Sequence, residues 1–163
     1  MSMCASFAKI DPNLIVRLQR DPSLIHELIE AQGEGAPEIL DIDKSWHGIH
    51  FVLTGSADGG EGPLAAAVFG GEEIGDDIGY GPARLLMPQE VQVVAAALEA
   101  LGLEAFVARY APEALTAEGI YPDGIWSEDP AEACDYLVDN FKELLGFYAK
   151  ASRAGAGILM WVG

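Results

Sequence analysis

The C-terminal quarter of the chain constrains the fold most. Asp129-Pro130-Ala131-Glu132 is a strong helix start. Aspartate at a cap accepts free backbone amides, and proline fits the first helical position because its missing N–H would have no partner there. Glu132 stands where a capping box needs its acid. Beyond it, Cys134, Leu137, Val138, Phe141, Leu144, Leu145 and Tyr148 fall on one helical face. Gly155 and Gly157 end that helix, and Ile158-Leu159-Met160-Trp161-Val162 follows. An apolar run with no polar alternate reads as a strand covered on both faces. Such a strand needs helices above and below it, and cutting it away is expected to unfold the domain.

The rest of the sequence agrees with that layering. Residues 3–10 read as a short, mostly apolar first strand. Asp11-Pro12 and Asp21-Pro22 each open a helix. Leu14, Ile15 and Leu18 line the first, and Leu24, Ile25, Leu28 and Ile29 the second. Residues 55–63 and 70–81 are Gly-rich and acidic and read as surface loops. Residues 64–69 are apolar but alanine-rich, and composition leaves them open between strand and helix. A brief strand is expected over residues 83–86. Pro88 then starts a helix with Val91, Val94, Leu98 and Leu101 in phase, and a shorter helix follows over 103–110. Strands interleaved with amphipathic helices predict a single α/β domain over residues 1–163, layered α/β/α around a small mixed sheet.

At 163 residues, half of them hydrophobic, the chain can bury a core without staples. Its formal net charge is −17. That surface repels phosphate backbones and anionic lipid, so nucleic acid and membrane are poor partners; a basic protein or a small-molecule ligand fits better. No unbroken run reaches the roughly eighteen apolar residues of a membrane span. The start carries no basic segment of the signal-peptide kind. Cys4 and Cys134 sit in apolar patterns and read as small buried hydrophobes of a reducing compartment. Together these predict a cytoplasmic protein.

Residues 41–55, Asp-Ile-Asp-Lys-Ser-Trp-His-Gly-Ile-His-Phe-Val-Leu-Thr-Gly, concentrate the polar and aromatic groups. Residues 41–48 are expected to form a turn or short helix and 49–53 a buried strand. The candidate ligand-binding residues are Asp41, Asp43, Lys44, Trp46, His50 and Thr54, joined by Tyr121 and Trp126 around a Pro-Asp-Gly turn. Each also has a structural role open to it. Trp46 would anchor the core and His50 would bond a neighbour on its strand. The charges would form a salt-bridged turn, and Thr54-Gly55 a turn device. Tyr121 and Trp126 would lock a loop onto the core. His47 is expected to be exposed, and His26 to be an ordinary helix-surface residue.

The segment Leu40-Asp41-Ile42-Asp43-Lys44-Ser45-Trp46, then Ile49-His50-Phe51 and Leu53-Thr54-Gly55, resembles the signature stretch of the YfbM-like family of bacterial proteins, which has no established function. The opening Met-x-Met strand, Gly81-Pro82-Ala83-Arg84 before a Pro-started helix, and Ile120-Tyr121-Pro122 with Trp126 extend the likeness over most of the chain. The resemblance implies a three-layer α/β fold and carries no activity. Met87 departs from the Ser or Thr expected at that helix cap, which would cost about 1 kcal/mol.

Motifs for defined chemistry are missing. There is no Walker loop, no GxGxxG behind a strand, no HExxH and no CxxC. No GxSxG elbow is present. Glu72, Glu73, Asp76 and Asp77 gather carboxylates without EF-hand spacing, so no metal and no cofactor is expected. The leading expectation is a non-catalytic binding or interaction module; an acidic inhibitor that masks a basic toxin would be a concrete form of it. The alternative is an enzyme of unknown reaction using His50 near Trp46. ADP-ribosyltransferase-like NAD chemistry is one version of it, with Tyr80 as a loose second member and no acid on the terminal strand to complete the set.

Overall fold

A computed structural model describes residues 2–163. Its centre is a five-stranded sheet ordered β2-β1-β5-β4-β3, with β1 at Ala5–Ile10, β2 at Ile39–Asp41, β3 at Glu72–Asp77, β4 at Pro82–Leu86 and β5 at Gly157–Val162. The C-terminal strand is the middle one. It pairs with β1 from Ala5↔Val162 to Ile10↔Gly157 and with β4 at Arg84↔Met160 to Leu86↔Ile158. All pairings are antiparallel, so the layered α/β architecture carries an antiparallel sheet rather than the mixed one expected. Every residue of β5 is buried, as its unbroken apolar run requires.

Alternation along the strands sorts side chains to two faces. Ala8, Ile10, Leu85, Leu159 and Trp161 pack under α1 (Pro12–Arg20) and α2 (Leu24–Glu30). Ala5, Phe7, Leu86, Ile158, Met160 and Val162 face the larger core on the other side. That core is built by α3 (Trp46–Thr54), α4 (Pro63–Phe69), α5 (Pro88–Arg109), α6 (Pro112–Ala117), α7 (Ile125–Glu128) and α8 (Pro130–Arg153). The three layers are therefore α/β/α.

Two of the three expected Asp-Pro caps form; α2 starts later than expected, at Leu24 after Ser23, and Asp21 accepts the Ser23 amide in the turn before it. Asp11 accepts the Leu14 amide at 2.8 Å and Asp129 that of Glu132 at 3.1 Å. Met87 cannot offer a Ser-type cap, but Glu90 accepts the Met87 amide at 3.1 Å, which supplies half of a capping box. Gly102, at φ 73° and ψ 168°, breaks α5 into the two helices expected around that point. By length and composition α5 is apolar enough to cross a membrane. The sequence hides this because its apolar residues are interspersed with polar ones; here it packs against α8, with Phe106 stacked 4.0 Å from Phe141.

Several expectations are overturned. Residues 49–53 lie inside helix α3 instead of forming a strand. The acidic stretch after Gly71 is strand β3, an exposed edge paired with β4, and not a loop. The short edge strand β2 was not foreseen at all. Residues 64–69, left open by composition, are helical. Cys4 and Cys134 are free and half-buried rather than buried.

Candidate functional site

The turn between β2 and α3 gathers the first group of candidates. Asp41 accepts the Asp43 amide at 2.7 Å, closing a tight turn that holds Asp43 at φ 54°. Left-handed backbone is uncommon outside glycine, though aspartate tolerates it better than most residues. The Asp43 carboxylate is held on both oxygens: Tyr136 of α8 donates its hydroxyl at 2.6 Å, and the Cys4 thiol lies 3.4 Å from the other oxygen. The Lys44 amide donates back to the Tyr136 hydroxyl at 3.0 Å. The Tyr136 bond, ahead of the Lys44 amide, keeps the Asp43 carboxyl below its ordinary range. Burial and the same bond push the Tyr136 phenol upward. Burial first, and then Asp43, raise the Cys4 thiol, so it is a poor nucleophile here.

Beside this turn opens a cleft of about 420 Å³. Asp43, Glu128, Asp129 and Glu132 surround one cation, Lys44, with Pro122, Ile125 and Ala133 forming an apolar side. The cleft joins candidates from the signature segment to the start of α8. Tyr136 and Glu132, absent from the sequence candidates, complete it. A larger cavity, about 790 Å³, lies elsewhere, between α1, α2 and residues 31–38. None of the candidate residues lines it, and its charges of both signs belong to an exposed helix-loop surface.

Trp46, His47 and Tyr121 form a second group. Trp46 donates to the Met3 carbonyl at 2.8 Å, and the Met3 amide donates to the Tyr121 hydroxyl at 3.0 Å. Trp46 stacks on His47 at 5.2 Å and lies 5.9 Å from the ring of Tyr121. These residues clamp the start of β1 to α3. His47, expected to be exposed, is half-buried with both nitrogens engaged: Nδ1 accepts the Tyr121 amide at 2.9 Å, so Nε2 carries the proton and donates to the Ala57 carbonyl at 2.7 Å. Trp126 is buried, donating to the Ile120 carbonyl at 2.8 Å and packing under Gly48.

His50 is the exception. It is 0 % exposed, and neither ring nitrogen has a hydrogen-bond partner among the described residues. Its ring packs on Phe69 at 4.4 Å. Loss of water lowers its pKa, outweighing an approach to the Gly59 backbone too long or bent to make a formed hydrogen bond, and the Asp58 carboxylate, both of which favour the charged form. The bonding expected of His50 thus falls to His47. Thr54 closes α3, its hydroxyl donating to the His50 carbonyl at 2.9 Å and accepting the Ser56 amide at 3.1 Å. The strand histidine required by NAD chemistry of the ADP-ribosyltransferase type is instead a helix residue, and Tyr80 is exposed beyond β3. The acids Glu72, Glu73, Asp76 and Asp77 lie on β3, and no group of three metal-ligating side chains converges among the described residues.

An antiparallel sheet between two helical layers, with an acidic cleft at the end of its longest helix, defines a three-layer α/β domain. The chain belongs to the family described as "Domain of unknown function (DUF1877)", whose model matches residues 1–161. It is 27 % identical over 164 residues to Protein YfbM of Escherichia coli (strain K12), a match covering 95 % of each chain. The crystal structure of a protein of unknown function, YfbM from Escherichia coli, superposes with a TM-score of 0.79 over 98 % of this chain and 99 % of that one. The YfbM-like resemblance and the fold class read from the sequence both hold.

Proposed function

We propose that this protein is a non-catalytic binding module of the cytoplasm whose cleft beside Asp43 receives a basic group of a protein partner. The observation that carries the reading is the make-up of that cleft, four carboxylates around one lysine with an apolar side. Its volume suits one or two cationic side chains, and its mouth is open to solvent-borne partners. Asp43 is set in place before any partner arrives: backbone turn, Tyr136 and Cys4 all fix its carboxylate. Preorganised charge of this kind binds without paying to order itself. The net charge of −17 would steer a basic partner from a distance, with strong salt dependence.

Binding of a fluorescent arginine- and lysine-rich peptide, measured by anisotropy at low and high salt, tests the reading. Asp43→Asn with Glu132→Gln should weaken binding about tenfold at low salt. Neutralising two acids at the far sheet edge, Glu72→Gln with Asp76→Asn, removes the same charge and should weaken it far less. Equal losses from the two pairs would mean that only the overall charge attracts the peptide, and the cleft would then have no such role.

A further inference from the structure

We propose that residues 58–62 form a lid, and that beneath it His50 and Arg84 together take a small carboxylate ligand. This site shares no lining residue with the acidic cleft, and it stands whether or not a basic partner binds there.

The first observation is His50 itself. A buried imidazole without a partner is costly, and buried polar groups nearly always find one. Phe69 lies 4.4 Å from the ring on one side, and the Gly59 carbonyl and the Asp58 carboxylate are close by. Those three residues also wall a cleft of about 390 Å³, and the ring adjoins that wall through its contact with Phe69.

The second observation is Arg84, which lines the same cleft from β4. One guanidinium nitrogen donates to the Phe69 carbonyl. The other lies 3.8 Å from Glu73, too far for a hydrogen bond. Phe69 therefore carries the arginine on its carbonyl and the histidine on its ring. A guanidinium with spare donors is the usual fork for a carboxylate.

The third observation is the cover. Residues 58–62 are all exposed, and Gly59, Gly60 and Gly62 have φ of 67°, 99° and 87°. The segment begins just beyond the Ala57 carbonyl that His47 holds and ends at Pro63, the first residue of α4. It is a short span between two fixed points, with glycines to absorb the dihedral change and no buried side chain; the exposed bond from the Ser56 hydroxyl to the Asp58 carbonyl, 2.6 Å, marks its hinge. Lifting it carries Asp58 away and opens His50 to the cleft. One guanidinium and one imidazolium then face the ligand. The cleft is small, and the field of the chain opposes multiply charged anions, which favours a small monocarboxylate. Binding takes up one proton on His50, with Arg84, Asp58, His47 and Glu73 as the charged or titratable neighbours.

Acetate, titrated into the full chain at constant ionic strength against chloride, is the probe, and the ¹⁵N imidazole resonances are the readout. The His50 signals should move saturably toward the imidazolium pattern, more tightly as pH falls, while exposed His26 does not follow. Arg84→Lys should weaken acetate about tenfold by losing the bidentate fork. Glu73→Gln, which removes the competing acid without touching the core, should tighten it about threefold. Asp43→Asn should leave it unchanged. A His50 signal that fails to move, or that moves in parallel with His26, overturns the proposal. So does an acetate affinity indifferent to both Arg84→Lys and Glu73→Gln.

Discussion

The hydroxyl of Tyr136 lies 2.6 Å from the Asp43 carboxylate, tying the middle of the signature turn to a helix 93 residues further along the chain. The bond crosses between the sheet layer and the large helical layer and does two jobs. It fixes the carboxylate at the mouth of the cleft, and with the Lys44 amide it holds a left-handed aspartate in place.

Tyr136→Phe removes that bond and keeps the ring. Asp43 is exposed, so water replaces much of the loss, and the expected cost is about 1 kcal/mol. The pH dependence is the sharper readout. Asp43 has a lowered folded-state pKa, so its contribution is present above the unfolded carboxylate value and is lost as pH falls through the folded one. Tyr136 is shifted upward, so its contribution is present below the ordinary phenol value and is lost as pH rises past it. Urea midpoints measured across pH should show both limbs flattened in Tyr136→Phe.

His50 gives a prediction of opposite character. Burial lowers its pKa, so the unfolded chain binds a proton more readily than the native one. Stability is then full above about pH 6.5, the unfolded value, and is lost as pH falls from there toward the folded value. His50→Leu keeps the volume and removes the orphaned nitrogens. It should stabilise the protein by about 1–2 kcal/mol at neutral pH and abolish the loss as pH falls from about 6.5 toward the folded value. A wild-type urea midpoint that stays flat over that interval would contradict the sealed environment of this ring.

Local chemistry was legible in the sequence, and long-range pairing was not. Asp11, Asp129 and Pro88 announce helices through contacts within three residues, and those helices start where the sequence places them. The 49–53 run failed because α3 buries Trp46, Gly48, Ile49, His50, Val52 and Leu53. A helix covered on nearly all sides has no polar face to betray its period, and a short apolar run then looks like a strand. Strand β3 failed for the converse reason. Glu72–Asp77 is exposed except at Ile74, so no alternation appears, and only its pairing with β4 makes it a strand. At the candidate site the sequence supplies Asp41, Asp43 and Lys44 but not Tyr136, whose role depends on a contact with no local signal.

Tyr148 offers a test of the large core. Its ring is fully buried, and its hydroxyl donates to the Ala67 carbonyl at 2.8 Å, tying α8 to α4. Burial pushes its phenol well above the ordinary value. Tyr148→Phe leaves that carbonyl without its donor in a dry interior and should cost about 1–3 kcal/mol. Hydrogen exchange should report the loss first in α4, the seven-residue helix that this bond ties to α8.

Gly48 tests how α3 is seated. A methyl group built there would lie 2.8 Å from Cδ2 of Leu137 and 2.8 Å from Cη2 of Trp126. Both neighbours are buried, and Trp126 is held by its bond to the Ile120 carbonyl, so neither can swing aside freely. Alanine favours helix over glycine by about 1 kcal/mol, which would stabilise an exposed position. Here overpacking should outweigh that gain, giving a net loss of about 1–2 kcal/mol for Gly48→Ala. The second substitution Leu137→Ala opens space for the methyl. The double variant should therefore be more stable than the sum of the two single losses predicts, by about 1 kcal/mol. Strict additivity in a urea double-mutant cycle would mean that α3 does not rest on Leu137 through this glycine.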